Sequence, residues 1–211
     1  MRFKREQTDR TFLEIEEIHK IQHLRLRVRN PLYDAREVFL FECYTGIRIS
    51  DILTLKWKHI TDEKISIRMR KTEKLLTIPI NDYVRSVLDR RRCAVENNGG
   101  KITSEKYVFN ILKVDVDEVS AQDALNAISS ATAVINKQLK KIAEQANIDK
   151  NLSTHCARHS YATALLTNNI PLPVIKEMLG HSDIKVTQIY AKVVDSKRNE
   201  VVECLNKVYH G

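Results

Sequence analysis

His155 and Arg158 stand three residues apart at the start of an apolar run near the end of this 211-residue chain. Side chains three apart leave a helix on one face, so both groups can reach one small ligand. A phosphate suits them, because free amides at a helix N-terminus and a planar guanidinium both favour its oxygens. The spacing therefore predicts an anion site at the start of a helix.

A second histidine and a tyrosine follow this site in the sequence. Gly180 has the position of a glycine just past a helix end, and His181 comes directly after it. The residues from His181 onward predict a new helix, and Tyr190 lies about two turns along it. The phenol is therefore expected beside the anion site, on a short helix of its own.

Each of these residues also has a more ordinary interpretation. A lone tyrosine on a helix is usually in the core, and a lone histidine usually lies at the surface. His155 and His159 are four residues apart and could be two ligands of a metal ion. The segment H-C-A-R-H lacks the glutamate of the zinc motif H-E-x-x-H, so we expect no metal and no cofactor.

The net charge of the chain indicates what the anion is. The formal charge is +8, with 35 lysines and arginines. This favours a polyanionic partner, because neutralised phosphates supply most of the sequence-independent affinity for nucleic acid. The length and the 43% hydrophobic content suffice for one buried domain.

The cellular compartment follows from what the sequence lacks. No apolar run approaches the ~20 residues of a membrane span, and no apolar signal segment follows the basic N-terminus. We therefore expect a cytoplasmic protein that does not bind membranes. The cysteines are far apart, without a C-x-x-C pair, and are interpreted as reduced core thiols; they are Cys43, Cys93, Cys156 and Cys204.

Residues 63 to 80 alternate apolar and polar side chains, which predicts a β-hairpin with Lys71 and Lys74 at its turn. A lysine on a hairpin tip can enter a DNA groove and deliver a proton. Lys71 is favoured for that role, and Lys74 is the rival candidate, better suited to contacting the DNA backbone.

The rest of the chain has helical periodicity, so the predicted fold class is α+β, mostly α-helical, with a small antiparallel hairpin or sheet. Helix starts are predicted after a Thr11–Glu14 capping box, at Pro31, after Ser50 and Asp51, at Asn81, and at Ser120. The helix from Ser120 is long, to about Ala146, and carries exposed lysines that can either contact DNA or keep the protein soluble: Lys137, Lys140 and Lys141.

Taken in order, the motifs resemble the catalytic domain of the tyrosine recombinases, the phage integrase family. The first is T-G-I-R-I-S-D at residues 45 to 51, and the second is R-K-T before Ile78 and Pro79. H-x-x-R, L-G-H and Tyr190 complete the set, and the resemblance covers roughly residues 11 to 210. It implies the recombinase catalytic-domain fold.

The resemblance also implies the chemistry. A tyrosine hydroxyl that attacks a phosphodiester stores the bond energy in a 3′-phosphotyrosine, so neither ATP nor water is consumed. Such a protein is a site-specific recombinase or integrase, here expected to serve a bacterial mobile element. The implied catalytic residues are Arg48, Lys71, His155, Arg158, His181 and Tyr190, and Asp51 supports the first arginine or caps the helix that follows it.

Partners and domains follow from the same resemblance. It implies double-stranded DNA as substrate, bound through Arg70, Lys74 and the lysines of the long helix. It also implies a tetramer on DNA that is monomeric when free, with the last amphipathic helix, at residues 195 to 209, packing on a neighbour. Residues 1–10 are expected to be a flexible arm or linker and residues 11–211 the catalytic domain, without the N-terminal core-binding domain that such recombinases usually carry.

Three other functions share parts of this pattern: a type IB-like topoisomerase, a telomere resolvase, and a catalytically silent DNA-binding regulator. The complete set of catalytic positions argues against the silent regulator. The compact T-G-x-R and L-G-H motifs favour recombination over DNA relaxation.

Overall fold

The computed structural model describes residues 11–28 and 30–181. Within these ranges the chain forms seven α-helices and one two-stranded antiparallel sheet, which confirms the predicted fold class. Residues 182–211, including Tyr190 and the predicted terminal helix, lie outside the described part. The elements are α1 (Ile15–Gln22), α2 (Pro31–Thr45), α3 (Ile49–Leu53), β1 (Lys64–Arg68), β2 (Leu75–Pro79), α4 (Asp82–Glu96), α5 (Ala121–Gln145), α6 (Thr154–Thr167) and α7 (Leu172–Met178).

Helix α2 is the centre of the core. Its consecutive residues 38 to 41 are all buried, as expected for a helix that is covered on every face. It packs against α1, α4, α5 and α6. Pro31 occupies its first position, and Gly46, with φ +65°, ends it, as the sequence predicted.

Helices α5 and α6 meet at the start of α6. Ser120 caps α5 by accepting a hydrogen bond from the Asp123 amide, and Ser153 caps α6 by accepting one from the Cys156 amide. The Asn136 side chain of α5 accepts a further bond from the Thr154 amide at 3.0 Å. The first turn of α6 is therefore fixed by its own cap and by α5.

The end of α7 sets the position of His181. The Gly180 amide donates to the Glu177 carbonyl and the His181 amide to the Lys176 carbonyl, which is the Schellman pattern. Gly180 has φ +60°, and a β carbon there would lie 2.4 Å from the Met69 sulfur. Both the backbone angle and the close approach therefore require glycine, as predicted at this helix end.

The hairpin pairs Ile65 with Ile78 and Ile67 with Leu76, which buries one face of the sheet. The Met69 amide donates to the Lys74 carbonyl at 2.9 Å and closes the turn. The predicted hairpin is confirmed, with residues 70 to 73 at its tip.

Two helix starts and one cysteine differ from the prediction. Helix α1 begins at Ile15, one turn later than predicted. The capping contact joins the Glu14 amide to the Glu17 side chain, and not Thr11 to Glu14 as expected. Helix α3 begins at Ile49 with Arg48 as its cap, so Asp51 lies inside the helix. Cys93 is exposed rather than in the core, whereas Cys43 and Cys156 are buried.

None of the helices in the described ranges is both apolar enough and long enough to span a bilayer.

Candidate active site

Arg158 lies where the ends of α2 and α7 meet α6, and its side chain is 7% exposed. One guanidinium nitrogen donates to the Gly46 carbonyl, and the other donates to the Leu179 carbonyl at 2.5 Å. That second nitrogen also lies 3.0 Å from His181 Nε2. These carbonyls orient the guanidinium between the helix ends, which suits an anion clamp.

Arg48 approaches the same point from the turn between α2 and α3. It is half-buried, with one nitrogen 3.2 Å from the Met69 sulfur and another 3.4 Å from the Gly180 carbonyl. A thioether is a weak acceptor and the second contact is long. Arg48 is therefore oriented by partners that it can readily exchange for a phosphate oxygen.

His181 lies between the arginines and the hairpin. Burial lowers the pKa of His181 to about 4, helped by the nearby charges of Arg158, Arg48, His159 and Lys71. The imidazole is therefore neutral at physiological pH, and one ring nitrogen can donate a hydrogen bond to a phosphate oxygen while the other accepts one.

Lys71 is exposed in the hairpin turn, as predicted. Its charge contributes to the lowered pKa of His181, so its ammonium lies within electrostatic reach of the imidazole. Arg70 and Lys74 are exposed on the same turn. The hairpin thus presents three cations beside the arginine site.

Asp51 supports the hairpin rather than capping its own helix. Its side-chain oxygen accepts a hydrogen bond at 2.9 Å from the amide of Arg70, the residue before Lys71. Asp51 is 3% exposed, and burial raises its pKa, while the Arg70 amide and the charges of Arg48 and Arg158 oppose the shift. Asp51 therefore ties α3, the helix that follows Arg48, to the hairpin turn that carries Lys71.

Glu42 is a buried carboxyl that the sequence analysis missed. It is 2% exposed, and its Oε2 has no hydrogen-bond partner in the described part of the chain. Burial raises its pKa well above the usual range, and the Arg158 charge only partly opposes this. The available signal was a single acid within the apolar run of α2, one turn before Gly46.

The side chains of His155 and Arg158 lie in different surroundings, although the spacing predicted that the two hold one ligand. It is exposed in the first turn of α6 and borders a shallow cavity of about 350 Å³, whose lining also includes Thr11, Asn151 and His159. Arg158 instead points towards the ends of α2 and α7. His155 is therefore exposed at the start of α6, whereas Arg158 is buried between the ends of α2 and α7.

The lysines of α5 are exposed, and Lys140 lies one helical turn beyond Asn136, which contacts the start of α6. Lys140 thus lies on the face of α5 that contacts the start of α6. Within residues 11–28 and 30–181, no three His, Cys, Asp or Glu side chains are placed to hold a metal ion together.

Comparison with known proteins gives consistent matches. The family model described as the phage integrase family matches residues 11–197. The tyrosine recombinase XerD of Staphylococcus haemolyticus (strain JCSC1435) is 30% identical over 185 residues, which are 86% of this chain and 57% of that protein. The chain therefore spans little more than half the length of this relative.

Two solved structures are similar in fold. XerH site-specific recombinase bound to a palindromic difH substrate, in a post-cleavage complex, matches with a TM-score of 0.66 and 23% identity, over 91% of this chain and 52% of that one. The catalytic domain of bacteriophage HP1 integrase matches with a TM-score of 0.54 and 22% identity, over 92% of this chain and 95% of that one.

Proposed function

Since this chain belongs to the phage integrase family, we propose that it is a site-specific DNA recombinase that acts through a covalent 3′-phosphotyrosine. One observation carries the proposal. Arg48 and Arg158 reach the same point beside a neutral His181, where the Gly46, Leu179 and Gly180 carbonyls orient the two guanidiniums. This arrangement suits the non-bridging oxygens of a scissile phosphate and the charge that develops there in the transition state.

In the proposed reaction the Tyr190 oxygen attacks phosphorus, and the bond from phosphorus to the 5′ oxygen breaks. His155, which is exposed in the first turn of α6, accepts the phenol proton, and Lys71 donates a proton to the departing 5′ oxygen. His181 donates a hydrogen bond to a phosphate oxygen while the two arginines hold the others. The reverse steps, with a new 5′ hydroxyl, reseal the strand.

Double-stranded DNA is the proposed substrate, and the DNA-bound state of the XerH neighbour supports it. The proposed contacts with the DNA backbone are exposed side chains of the hairpin turn and of α5: Arg70, Lys74, Lys137, Lys140 and Lys141. We further propose residues 11–211 as the catalytic domain, tetrameric on DNA and monomeric when free. Its proposed place of action is the nucleoid, in the service of a bacterial mobile element.

The test is formation of a covalent adduct on suicide DNA substrates that carry a nick near the cleavage site. The wild-type protein should form a 3′-phosphotyrosyl adduct, with chelator present or absent, because the arginines supply the positive charge. Tyr190→Phe should bind DNA normally and form none.

Tyr161→Phe is the matched control. Tyr161 is half-buried, and desolvation raises the pKa of its phenol to about 12, so it is a poor nucleophile. The assignment fails if the Tyr190→Phe variant still forms the adduct, or if labelling maps to Tyr83, Tyr161 or Tyr209. Plasmid relaxation without recombination between two sites would instead indicate a topoisomerase.

A further inference from the structure

Met69 lies at the end of β1, only 1% exposed, and its sulfur contacts three separate segments. It is 3.2 Å from an Arg48 guanidinium nitrogen and 3.8 Å from the Thr72 hydroxyl. It also fills the space beside Gly180, where a β carbon would lie 2.4 Å from the sulfur.

These three segments carry three of the proposed catalytic groups. The first contains Arg48 itself, Thr72 is next to Lys71 in the hairpin turn, and Gly180 is next to His181. The Met69 backbone also closes the turn, since its carbonyl accepts from the Glu73 amide at 2.8 Å and its amide donates to the Lys74 carbonyl. One residue thus fixes the turn and contacts both neighbouring segments.

The chemistry of the thioether suits this place. A long, unbranched side chain with a polarisable sulfur fills an irregular gap between packed segments. As a weak acceptor, the sulfur orients Arg48 but competes poorly with a phosphate oxygen. A displacement of the turn therefore also moves the sulfur, which is an acceptor that holds Arg48.

We propose that Met69 is a positioning residue that couples the hairpin to Arg48, an inference that rests on the proposed recombinase function. When Lys71 enters the DNA groove, the turn carries the Met69 sulfur with it and releases Arg48 to the scissile phosphate. The arrival of the proton donor and the completion of the phosphate clamp are then one event.

The test compares Met69→Ala and Met69→Leu with Ile67→Ala. Ile67 is buried on the same face of β1, two residues before Met69, so it controls for lost packing. At saturating DNA, Met69→Ala should slow single-turnover cleavage by about 10- to 100-fold, the effect of a small displacement of catalytic groups. Affinity for DNA should change by less than about threefold, since few phosphate contacts are lost.

Met69→Leu nearly keeps the volume while it removes the sulfur, so it remains informative if the alanine variant does not fold. We expect it to slow cleavage by about 3- to 10-fold, a part of the same displacement. Equal slowing by Ile67→Ala, or wild-type rates in Met69→Leu, would overturn the proposal.

A second measurement tests the link to Lys71. A 5′-thio substrate needs no protonation of its leaving group, so it should recover part of the rate lost in Met69→Ala. Equal losses on ordinary and 5′-thio substrates would mean that Met69 does not position Lys71. Failure of the recombinase proposal looks different, because the wild-type protein itself would then form no adduct.

Discussion

The two positively charged halves of the candidate site are built in opposite ways. Arg158 is almost fully buried, and carbonyls at the ends of α2 and α7 hold its guanidinium. Lys71 is exposed on a short turn that is tied to the core through Asp51 and Met69. A charge that stabilises a transition state has to be fixed beforehand, whereas a proton donor has to reach a departing oxygen.

The largest expected effect is at the buried half. Arg158→Lys should reduce the cleavage rate by about 10³-fold, because a lysine cannot reproduce the two-pronged geometry. It should also lower the free energy of unfolding by about 2 to 4 kcal/mol, since the Gly46 and Leu179 carbonyls lose buried donors. Single-turnover cleavage and chemical denaturation measure the two losses.

Arg48→Lys is the control for this prediction. It should slow cleavage to a similar degree but lower the free energy of unfolding by less than about 1 kcal/mol, because its partners are weak. Equal losses of stability in the two variants would show that Arg158 is no more structural than Arg48, and the contrast between the two halves would disappear.

A smaller effect is expected at the exposed half. Lys71→Ala should slow cleavage of ordinary DNA by about 10²-fold, and a 5′-thio leaving group should restore the rate. Stability should change by no more than about 0.5 kcal/mol, as for other exposed side chains. Lys74→Ala is the matched control on the same turn, and rescue of that variant instead would move the proton donor to Lys74.

The smallest expected effect is on the titration of His181, which lies between the halves. NMR of the free protein should give this histidine a pKa near 4. Because the folded state then binds fewer protons than the unfolded state, this group stabilises the fold above about pH 6.5 and loses that contribution as pH falls towards 4. Arg158→Ala should raise the His181 pKa more than Lys71→Ala does, and the reverse order would contradict the geometry.

The parts of the fold that the sequence predicted are those with local causes. Pro31 and Gly46 limit α2 through their own backbone angles, and alternating side chains between residues 64 and 79 specify the hairpin. Lys71 could be placed on the turn for the same reason. Local chemistry therefore gave most of the elements and the approximate place of the proposed proton donor.

The parts that could not be predicted depend on distant contacts. Asp51 was expected to support the arginine or cap its helix, but it accepts from the Arg70 amide, 19 residues away. Glu42 and Met69 become notable only when α6 and α7 pack beside them. Likewise, the three-residue spacing put His155 and Arg158 together, but the ends of α2 and α7 hold Arg158 while His155 stays exposed.

The contacts that assemble the arginine pair also have a consequence for synthesis of the chain. Arg158 is 112 residues from Gly46, and Arg48 is 132 residues from Gly180. At roughly 5–20 residues per second, a ribosome needs about 7 to 26 seconds between Arg48 and its last partner. Until then the nascent polypeptide lacks a partner for one or both arginines, so translation itself delays the assembly of this anion site.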